Sequence, residues 1–196
     1  MSIAEQAETD LVLPRTKMTG DEFLALPDDG IDRVLLDGEL WEMGMTLRNR
    51  SHGRRAARIA AVLSSWNDAQ PDPWGEITVG DTGFWLERDP ASLVGLDVAY
   101  ASPEVIARTP EDATYYEGPP VLAVEVLSPL NKVEDIVAKV RQYLRAGTVV
   151  WEVNPEYRTI QVHRPGLPVE SDDVSRELVG DPYLPGFRVA MAEVFR

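Results

Sequence analysis

The sequence predicts a mixed α/β fold, in which helices flank a central sheet. The clearest observation is the run 119–129, in which residues 121–127 are apolar except for Glu125. Such an uninterrupted apolar run is typical of a strand that is buried on both faces. A helical apolar pattern over residues 132–146 and a second apolar run at 149–153 follow it. A strand, a helix and a strand in this order predict a parallel crossover, so we expect helices packed on a mixed sheet.

The composition indicates one globular domain rather than a disordered or membrane-spanning chain. Apolar residues make up 44% of the 196 residues, which is ordinary for a globular protein. No apolar run approaches the roughly 18 residues that a membrane span needs. We expect residues 1–15 to form a flexible tail, because they are polar and acidic without a repeating period. Residues 16–196 are expected to form a single domain.

Charge and cysteine content limit the classes of function. The chain has no cysteine, so disulfides, thiolate metal sites and cysteine nucleophiles are excluded, and we expect a cytoplasmic protein. Because the chain has only two histidines, a multi-histidine metal site is not expected. The formal net charge of −14 opposes the binding of nucleic acid at long range. Residues 48–58 are an exception, because they contain arginines and no acid.

Local signals predict the elements of the first half of the chain. Thr19 and Glu22 have the spacing of a capping box, which predicts a short helix. The Asp-Gly pair at 37–38 lies between two apolar runs and predicts a β-hairpin. An apolar stripe predicts a helix over residues 51–66. Short strands bounded by glycine or proline are expected at residues 77–79, 84–87 and 96–100.

The second half is predicted to contain two more helical segments and further strands. A helical turn is expected at residues 103–107, and Asn131 and Glu134 have the spacing of a helix cap. The helix after this cap is predicted to end before Gly147. Its apolar stripe consists of Val133, Ile136, Val137, Val140 and Leu144. The chain should then form strands at 149–153 and 159–163, an acidic loop at 165–175, and a final segment with Leu178 and residues 187–194.

Two isolated carboxylates interrupt the predicted buried strands. Glu125 lies in the middle of the run 121–127, and Asp97 is the only charged residue in 96–100. Each must be protonated, paired with a cation or bound to a metal ion, because burying a lone carboxylate is very costly. Lys139, on the edge of the next helical stripe, can lay its stem along apolar surface and present its ammonium group.

These three residues together favour a site for a hard divalent cation. Mg²⁺ prefers oxygen ligands and is usually bound by one or two carboxylates, waters and substrate phosphate, and Mn²⁺ is a possible substitute. We therefore predict that Asp97 and Glu125 bind the metal and that Lys139 positions or activates water. Glu39, which starts the second hairpin strand, is a candidate for a further ligand. The alternative is that each acid has a structural role and that Lys139 and Glu39 lie at the surface.

The central strand and its flanks resemble a known protein family. Residues 115–129 (YYEGPPVLAVEVLSP) resemble the central signature of the Uma family of restriction-endonuclease-like proteins, within the PD-(D/E)XK nuclease superfamily. The segments 37–40, 139–147 and 184–187 resemble the same family, the second through its Lys, Tyr and Ala-Gly pattern. The resemblance covers most of residues 19–196.

This resemblance implies a restriction-endonuclease-like core with a divalent-metal nuclease site. By position, Asp97 matches the acid of the PD element, Glu125 matches the second acid, and Lys139 matches the lysine on the following helix. Glu39 matches an early acid of the family. One departure is that Leu127 stands where the wider superfamily has its lysine, so that the site depends on Lys139.

Two further positions depart from the family pattern. Leu96 replaces the usual proline before the aspartate, and Glu152 occupies a strand position where an aliphatic residue is expected.

The function implied by the family is metal-dependent hydrolysis of phosphodiester bonds by a DNA endonuclease. We expect weak DNA binding because the chain is acidic, and a homodimer because two sites would address two strands. The alternative is a catalytically silent module of the same fold with a protein-binding or regulatory role, which the net charge and Leu127 favour.

The remaining charged and aromatic residues have simpler interpretations. Arg54, Arg55 and Arg58 lie off the apolar stripe of their helix and are predicted to face solvent, with phosphate contact as the alternative. His52 and His163 are interpreted as ordinary polar residues rather than general bases. The tryptophans are interpreted as core or interface aromatics.

Overall fold

The computed structural model of the protein describes residues 15–43, 49–129 and 131–196. The tail predicted for residues 1–15 lies outside the described residues except for Arg15, and Arg48 also lies outside them. In chain order the elements are α1 (Gly20–Leu24), β1 (Asp32–Leu36), β2 (Glu39–Met43), α2 (Arg50–Asn67), β3 (Glu76–Arg88), β4 (Ala91–Ala101), α3 (Pro103–Arg108), β5 (Tyr116–Glu117), β6 (Leu122–Val126), α4 (Val133–Arg145), β7 (Val149–Asn154), β8 (Thr159–His163), β9 (Glu170–Asp173), β10 (Glu177–Val179), β11 (Arg188–Ala190) and α5 (Met191–Val194). None of the helices in the described ranges is long and apolar enough to cross a membrane.

A mixed sheet of nine strands, β1 to β9, forms the centre of the described part of the chain. Its main order is β2-β1-β4-β6-β7-β8-β9, and β3 pairs with both β4 and β5. The strands β6 and β7 are parallel and α4 connects them, so the predicted parallel crossover is confirmed. The other pairs along the main order are antiparallel. The predicted fold class, a mixed sheet flanked by helices, is therefore confirmed.

The hairpin of β1 and β2 forms around the predicted Asp-Gly turn. Only Asp37 and Gly38 connect the two strands, with φ of 52° and 73°. These left-handed values are typical of tight hairpin turns, and aspartate and glycine adopt them more readily than most residues. The Asp37 carboxylate accepts hydrogen bonds from Gln142 and Arg145. The turn therefore also fixes the C-terminal end of α4 against the sheet.

The predicted helices in the first half of the chain are present. At α1 the Thr19 hydroxyl accepts a hydrogen bond from the Glu22 N–H, and the Glu22 carboxylate accepts one from the Thr19 N–H, which completes the capping box. In α2 the apolar stripe packs on the sheet, with Ile59 and Leu63 fully buried. The helical turn predicted after residue 102 is α3, which begins at Pro103.

The strands β3 and β4 are longer than the sequence patterns predicted. Residues 77–79 and 84–87 belong to the single strand β3, which continues through Gly80 and Gly83 instead of ending there. Gly80 and Asp81 both have positive φ, and the register shift between Val79 and Thr82 accommodates them as a bulge, so the strand continues. The prediction of separate short strands was wrong because a glycine in a strand marks a bulge as readily as an end.

The two faces of the sheet bury separate hydrophobic clusters. The even-numbered residues of β6 pack in a cluster with α2 and the C-terminal segment, whereas Ala123 packs in a cluster with α4. Every residue of β6 is buried, which confirms a strand covered on both faces. Because side chains alternate along a strand, Glu125 shares the α4 side with Ala123.

The buried face of α4 differs from the predicted stripe. Val133 and Val137 are 76% and 50% exposed, whereas Lys139 and Tyr143 are buried. The helix turns these two polar-tipped side chains toward the sheet because the Glu125 carboxylate gives them a partner there. The predicted placement of Lys139 at the edge of an apolar stripe was therefore wrong in detail, although its ammonium group does reach the sheet.

Two predictions for loops also need correction. The residue before α4 is Lys132 rather than Asn131, and the Asn131 side chain instead accepts a hydrogen bond from the Ser128 N–H. The acidic loop predicted at 165–175 contains β9, which pairs with β8 at the end of the sheet.

Candidate active site

The carboxylate of Asp97 lies where β4 and β6 separate. The antiparallel ladder between them reaches Val98 opposite Val124 and goes no further toward the end of β6. Beyond it, the N–H of Val126 donates to Asp97 Oδ2 at 2.8 Å. A buried backbone N–H must be paired, so this carboxylate replaces the strand carbonyl that the ladder no longer supplies. The separation of the strands therefore directs the Asp97 side chain toward β6.

A β-bulge in β3 lies beside this position. The register shift between Val79 and Thr82 leaves Gly80 and Asp81 facing the single residue Asp97. Bulges bend a strand, increase its twist and re-aim nearby side chains, and they are frequent next to active sites. The local irregularity that hid β3 from the sequence patterns thus lies directly opposite Asp97.

Glu125 accepts two hydrogen bonds from α4. Lys139 Nζ lies 2.9 Å and the Tyr143 hydroxyl 2.6 Å from the same atom, Glu125 Oε1. Lys139 and Tyr143 are four residues apart, so they project from one face of the helix. All three side chains are buried. The predicted association of Glu125 with Lys139 is thereby present as a direct ion pair.

Burial and charge shift the pKa values of this cluster. Burial raises the pKa of Glu125, and the neighbouring Asp97 raises it further, against the opposing effect of Lys139. Burial lowers the pKa of Lys139, but the Glu125 carboxylate outweighs this and the pKa lies above its ordinary value. Burial and then the Glu125 charge raise the pKa of Tyr143 well above its usual range. At neutral pH, Lys139 and Tyr143 therefore keep their protons and act as donors.

His52 completes the arrangement around Asp97. Its Nε2 lies 3.0 Å from Asp97 Oδ2, and both side chains are buried. His52 belongs to the first turn of α2, where the Asn49 side chain caps the helix by accepting from the His52 N–H. The interpretation of His52 as an ordinary polar residue missed this contact. The only signal in the sequence was its place at a helix start, which does not reveal a partner 45 residues away.

Glu39 is not brought to the other predicted site residues. It lies next to the hairpin turn, and its half-buried carboxylate is 3.9 Å from Nζ of the exposed Lys17. Asp32 occupies the opposite end of the same hairpin, paired with Met43. The charge of Asp32 contributes to the raised pKa of Lys139, so Asp32 is the acid of β1 that lies near the cluster.

Glu152 and His163 form a neighbouring polar pair. Glu152 stands beside Glu125 in the parallel register of β6 and β7. Its Oε2 lies 3.5 Å from Nε2 of His163 on the adjacent strand β8. The glutamate that departs from the expected aliphatic pattern therefore faces a histidine at ion-pair distance, although the buried His163 Nε2 makes no hydrogen bond with the described residues.

The arginines of α2 do not form one solvent-facing surface. Arg55 is buried, and its Nη1 donates to the carbonyl oxygens of Val194 at 2.9 Å and Arg196 at 3.0 Å. Arg58 donates to the carbonyl oxygen of Glu193. Arg54 is exposed. The prediction that all three face solvent was therefore wrong for Arg55, because α2 uses it to hold the C-terminal segment.

The residues of the site fit a Mg²⁺ ion that takes only part of its ligands from the protein. In the described ranges, no group of three or more histidine, aspartate or glutamate side chains is arranged to hold a metal. Asp97 and Glu125 nevertheless lie close enough for Asp97 to raise the pKa of Glu125. Two close carboxylates repel each other, and a cation between them would relieve that repulsion. This donor set matches the one or two carboxylates that Mg²⁺ commonly takes alongside waters and substrate phosphate.

Leu127 occupies the position where the resemblance to the nuclease superfamily leads to the expectation of a lysine. Its N–H donates to the carbonyl oxygen of Val153 and continues the ladder beyond β6. The ammonium group reaches Glu125 from α4 instead, through Lys139. Lys139 therefore places an ammonium group at Glu125, and the role predicted for it there stays a prediction.

Comparisons with known proteins agree with this architecture. The crystal structure of a "putative nuclease belonging to DUF820" from Anabaena variabilis ATCC 29413 superposes with a TM-score of 0.76 at 18% identity. The superposition covers 91% of this chain and 97% of that one, so the two share a fold. No curated protein matches the chain. The Uma2 family model, described as "Putative restriction endonuclease", matches residues 21–192, and the chain therefore belongs to the Uma2 family.

Proposed function

We propose that the protein is a divalent-metal-dependent nuclease that hydrolyses phosphodiester bonds in DNA. The observation that carries the proposal is the buried contact between Lys139 Nζ and Glu125 Oε1, with Asp97 close to the same carboxylate. A lysine, two acids and the nuclease fold family supply the parts that metal-assisted phosphodiester hydrolysis requires.

In the proposed reaction, Asp97 and Glu125 would hold Mg²⁺, or Mn²⁺ in its place. When bound, the ion would offset the negative charge that develops on the phosphoryl oxygens and make the attacking water more acidic. The raised pKa of Lys139 keeps its ammonium group charged, so Lys139 would donate a hydrogen bond to the reacting phosphate rather than accept a proton.

The other residues of the cluster would hold these groups in place. Tyr143 donates to Glu125 and limits the rotation of its carboxylate. His52 and the N–H of Val126 fix Asp97 through the same oxygen, Oδ2. Such supporting contacts maintain the geometry that metal binding and catalysis require. Glu39 has no part in this proposal, and the further acids near the cluster are Asp32, whose charge raises the pKa of Lys139, and Asp81, whose charge raises the pKa of Tyr143.

The proposal includes three further expectations: the substrate is DNA, the protein forms a homodimer, and it is located in the cytoplasm. Arg54, exposed on α2, is the remaining candidate for a phosphate contact. Two sites in a dimer of C₂ symmetry would address the two strands of a duplex. A chain without cysteine suits a reducing compartment.

Cleavage of supercoiled plasmid in Mg²⁺ or Mn²⁺ tests the proposed activity. Wild type should nick the plasmid, and chelation of the metal should stop the reaction. Asp97→Asn and the double variant Glu125→Gln/Lys139→Met should lose at least about 100-fold in rate, as expected when groups that stabilise a transition state are removed. Glu134→Gln/Lys132→Met is a matched control, because it makes the same exchanges at exposed positions of the same helix region.

A silent module with a protein-binding or regulatory role is the second candidate. Leu127 and the net charge of −14 favour it. A thermal-shift titration with Mn²⁺ separates the two, because a ligand that binds only the folded state raises the melting temperature. The nuclease proposal predicts a rise in wild type and in the matched control, and none in Asp97→Asn. An identical change in melting temperature in all three proteins would contradict metal binding at Asp97 and favour the silent module.

A further inference from the structure

A pocket of about 550 Å³ opens at the carboxyl ends of β6 and β7. Its described walls are the start of α2, residues 127–129 after β6, and residues 154–156 at the end of β7. Parallel strands end at the same edge of a sheet, and ligands of α/β proteins commonly bind there. The volume lies within the roughly 300–1,000 Å³ of small-molecule sites, which is enough for one nucleotide.

The pocket adjoins the candidate active site on two sides. Leu127, which lines it, follows Glu125 by two residues at the end of β6. Asn49, which also lines it, caps the helix turn that carries His52, and His52 contacts Asp97. A nucleic acid whose reacting phosphate lies at the two carboxylates would therefore have a neighbouring base at the mouth of this pocket.

Two asparagine side chains give the pocket oriented hydrogen-bond donors. Asn49 Oδ1 accepts from the N–H of His52, and Asn154 Oδ1 accepts from the N–H groups of Glu156 and Tyr157. These bonds fix each amide oxygen toward the backbone. Because the amide nitrogen lies on the other side of the same planar group, each Nδ2 is directed away from the backbone and is available to a ligand.

The rest of the described lining suits an uncharged flat ligand. Leu127, Pro129 and Pro155 supply apolar walls, and Glu156 is the one charged side chain that the described lining contains. A carboxylate disfavours a phosphate in the pocket. Apolar walls with neutral donors match the face of a nucleobase and the acceptor atoms along its edge.

We propose that this pocket binds an unpaired nucleobase next to the reacting phosphate. Bases in a duplex are stacked and paired, so a base enters such a pocket only from a single strand or after leaving the stack. The substrate class is therefore DNA that is single-stranded or locally unpaired at the reacting phosphate, and a duplex or plasmid is cut only where a base has left the stack. This inference rests on the proposed nuclease function and specifies the substrate of the same site.

Fluorescence anisotropy with Ca²⁺ in place of Mg²⁺ tests the inference. The probes are fluorescein-labelled oligo(dT), the same strand with every base replaced by an abasic residue, and the oligo(dA)·oligo(dT) duplex. The variant is Asn154→Asp, which keeps the Oδ1 acceptor but exchanges the Nδ2 donor for an oxygen. Asn131→Asp is the matched control, because it adds the same charge next to the pocket while its Oδ1 can still accept from Ser128.

We expect oligo(dT) to bind wild type about 5- to 100-fold more tightly than the abasic strand, the range that base contacts give. It should also bind more tightly than the duplex. Asn154→Asp should weaken oligo(dT) binding in the same range, and Asn131→Asp by less than about twofold.

Three results would overturn the inference. Equal affinity for oligo(dT) and the abasic strand would show that no base is bound. Equal affinity for oligo(dT) and the duplex would show that an unpaired strand is not preferred. Equal effects of Asn154→Asp and Asn131→Asp would show that charge alone acts. Each of these leaves the proposed nuclease function standing, whereas no binding of any probe contradicts the nuclease function as well.

Discussion

The ion pair between Glu125 and Lys139 links the candidate site to the stability of the fold. Both side chains are buried, and their 2.9 Å contact compensates two charges that would each be costly alone. Tyr143 donates to the same carboxylate oxygen. A substitution that removes one partner leaves a buried charge without compensation, whereas a substitution that removes both charges does not.

Lys139→Met is expected to lower the free energy of unfolding by about 3–5 kcal/mol, because Glu125 would stay buried without its cation. Adding Glu125→Gln should recover most of this loss, since neutral groups of similar volume often replace a buried pair at little cost. Urea denaturation followed by circular dichroism measures both. Lys132→Met, at an exposed position, should stay within about 0.5 kcal/mol of wild type. A Lys139→Met protein as stable as wild type would contradict a buried pair.

The contact of His52 with Asp97 gives a second prediction at the residue scale. His52→Leu should lower the free energy of unfolding by about 1–3 kcal/mol, because a buried carboxylate loses a hydrogen-bond donor. It should also weaken Mn²⁺ binding, since Asp97 loses the contact that holds it. His52→Gln keeps a nitrogen donor at a similar reach and should retain more of both properties. Urea denaturation and calorimetric titration test the pair, and unchanged Mn²⁺ affinity in His52→Leu would refute the role in holding Asp97.

The residues of the site differ in how far the sequence reveals them. Asp97 and Glu125 stand out because a lone charge in an apolar run needs a partner. Tyr143 and His52 do not, since an aromatic on a helix resembles a core residue and a histidine among arginines resembles a surface residue. Glu39 is a candidate by its place at the start of the second hairpin strand and by its match to a family motif, whereas Asp32, at the other end of the hairpin, is the one whose charge acts on Lys139.

At the scale of elements, the hairpin turn and the bulge show why similar glycines have different consequences. Gly38 lies in a tight turn with φ of 73°, and the Asp-Gly dipeptide between two apolar runs predicts this turn from the sequence. Gly80 has φ of 80° but lies within β3, where it takes part in a bulge. A local pattern identifies the first, whereas the second depends on the pairing with β4, which the sequence does not display.

Two alanine substitutions test this view of glycine. Gly38→Ala should lower the free energy of unfolding by about 1–2 kcal/mol, because a residue with a Cβ is strained at this φ. Gly53→Ala, in the interior of α2, should raise it by about 0.5–1 kcal/mol. Apart from its chain neighbours and the adjacent backbone of its own helix, no described atom lies within 4 Å of the Cβ that Gly53 would gain. Thermal or urea denaturation measures both, and a loss of stability in Gly53→Ala would contradict the helical assignment there.

At the scale of the whole molecule, the arginine-rich segment serves the fold as well as the surface. The chain carries a formal net charge of −14, so the position of each exposed cation matters for any contact with phosphate. Arg55 is not available for a phosphate contact, because it is buried and donates to the carbonyl oxygens of Val194 and Arg196. The hydropathy pattern places Arg55 off the apolar stripe of α2. This pattern does not reveal that the C-terminal segment folds back over the helix and buries Arg55.

Arg54 and Arg55 should therefore respond differently to the same substitution. Arg55→Met is expected to lower the free energy of unfolding by about 1–3 kcal/mol, because two carbonyl groups lose their donor. Arg54→Met should leave stability within about 0.5 kcal/mol of wild type but weaken DNA binding and its dependence on salt. Denaturation and anisotropy at several salt concentrations measure these effects. Equal stability of the two variants would contradict the buried role of Arg55.

Anomalous diffraction from a crystal soaked in Mn²⁺ tests the central claim most directly. The account predicts one strong peak between the carboxylates of Asp97 and Glu125, and its loss in crystals of Asp97→Asn. Mn²⁺ bound only elsewhere, or a peak that persists unchanged in Asp97→Asn, would contradict a metal-dependent nuclease site in this cluster.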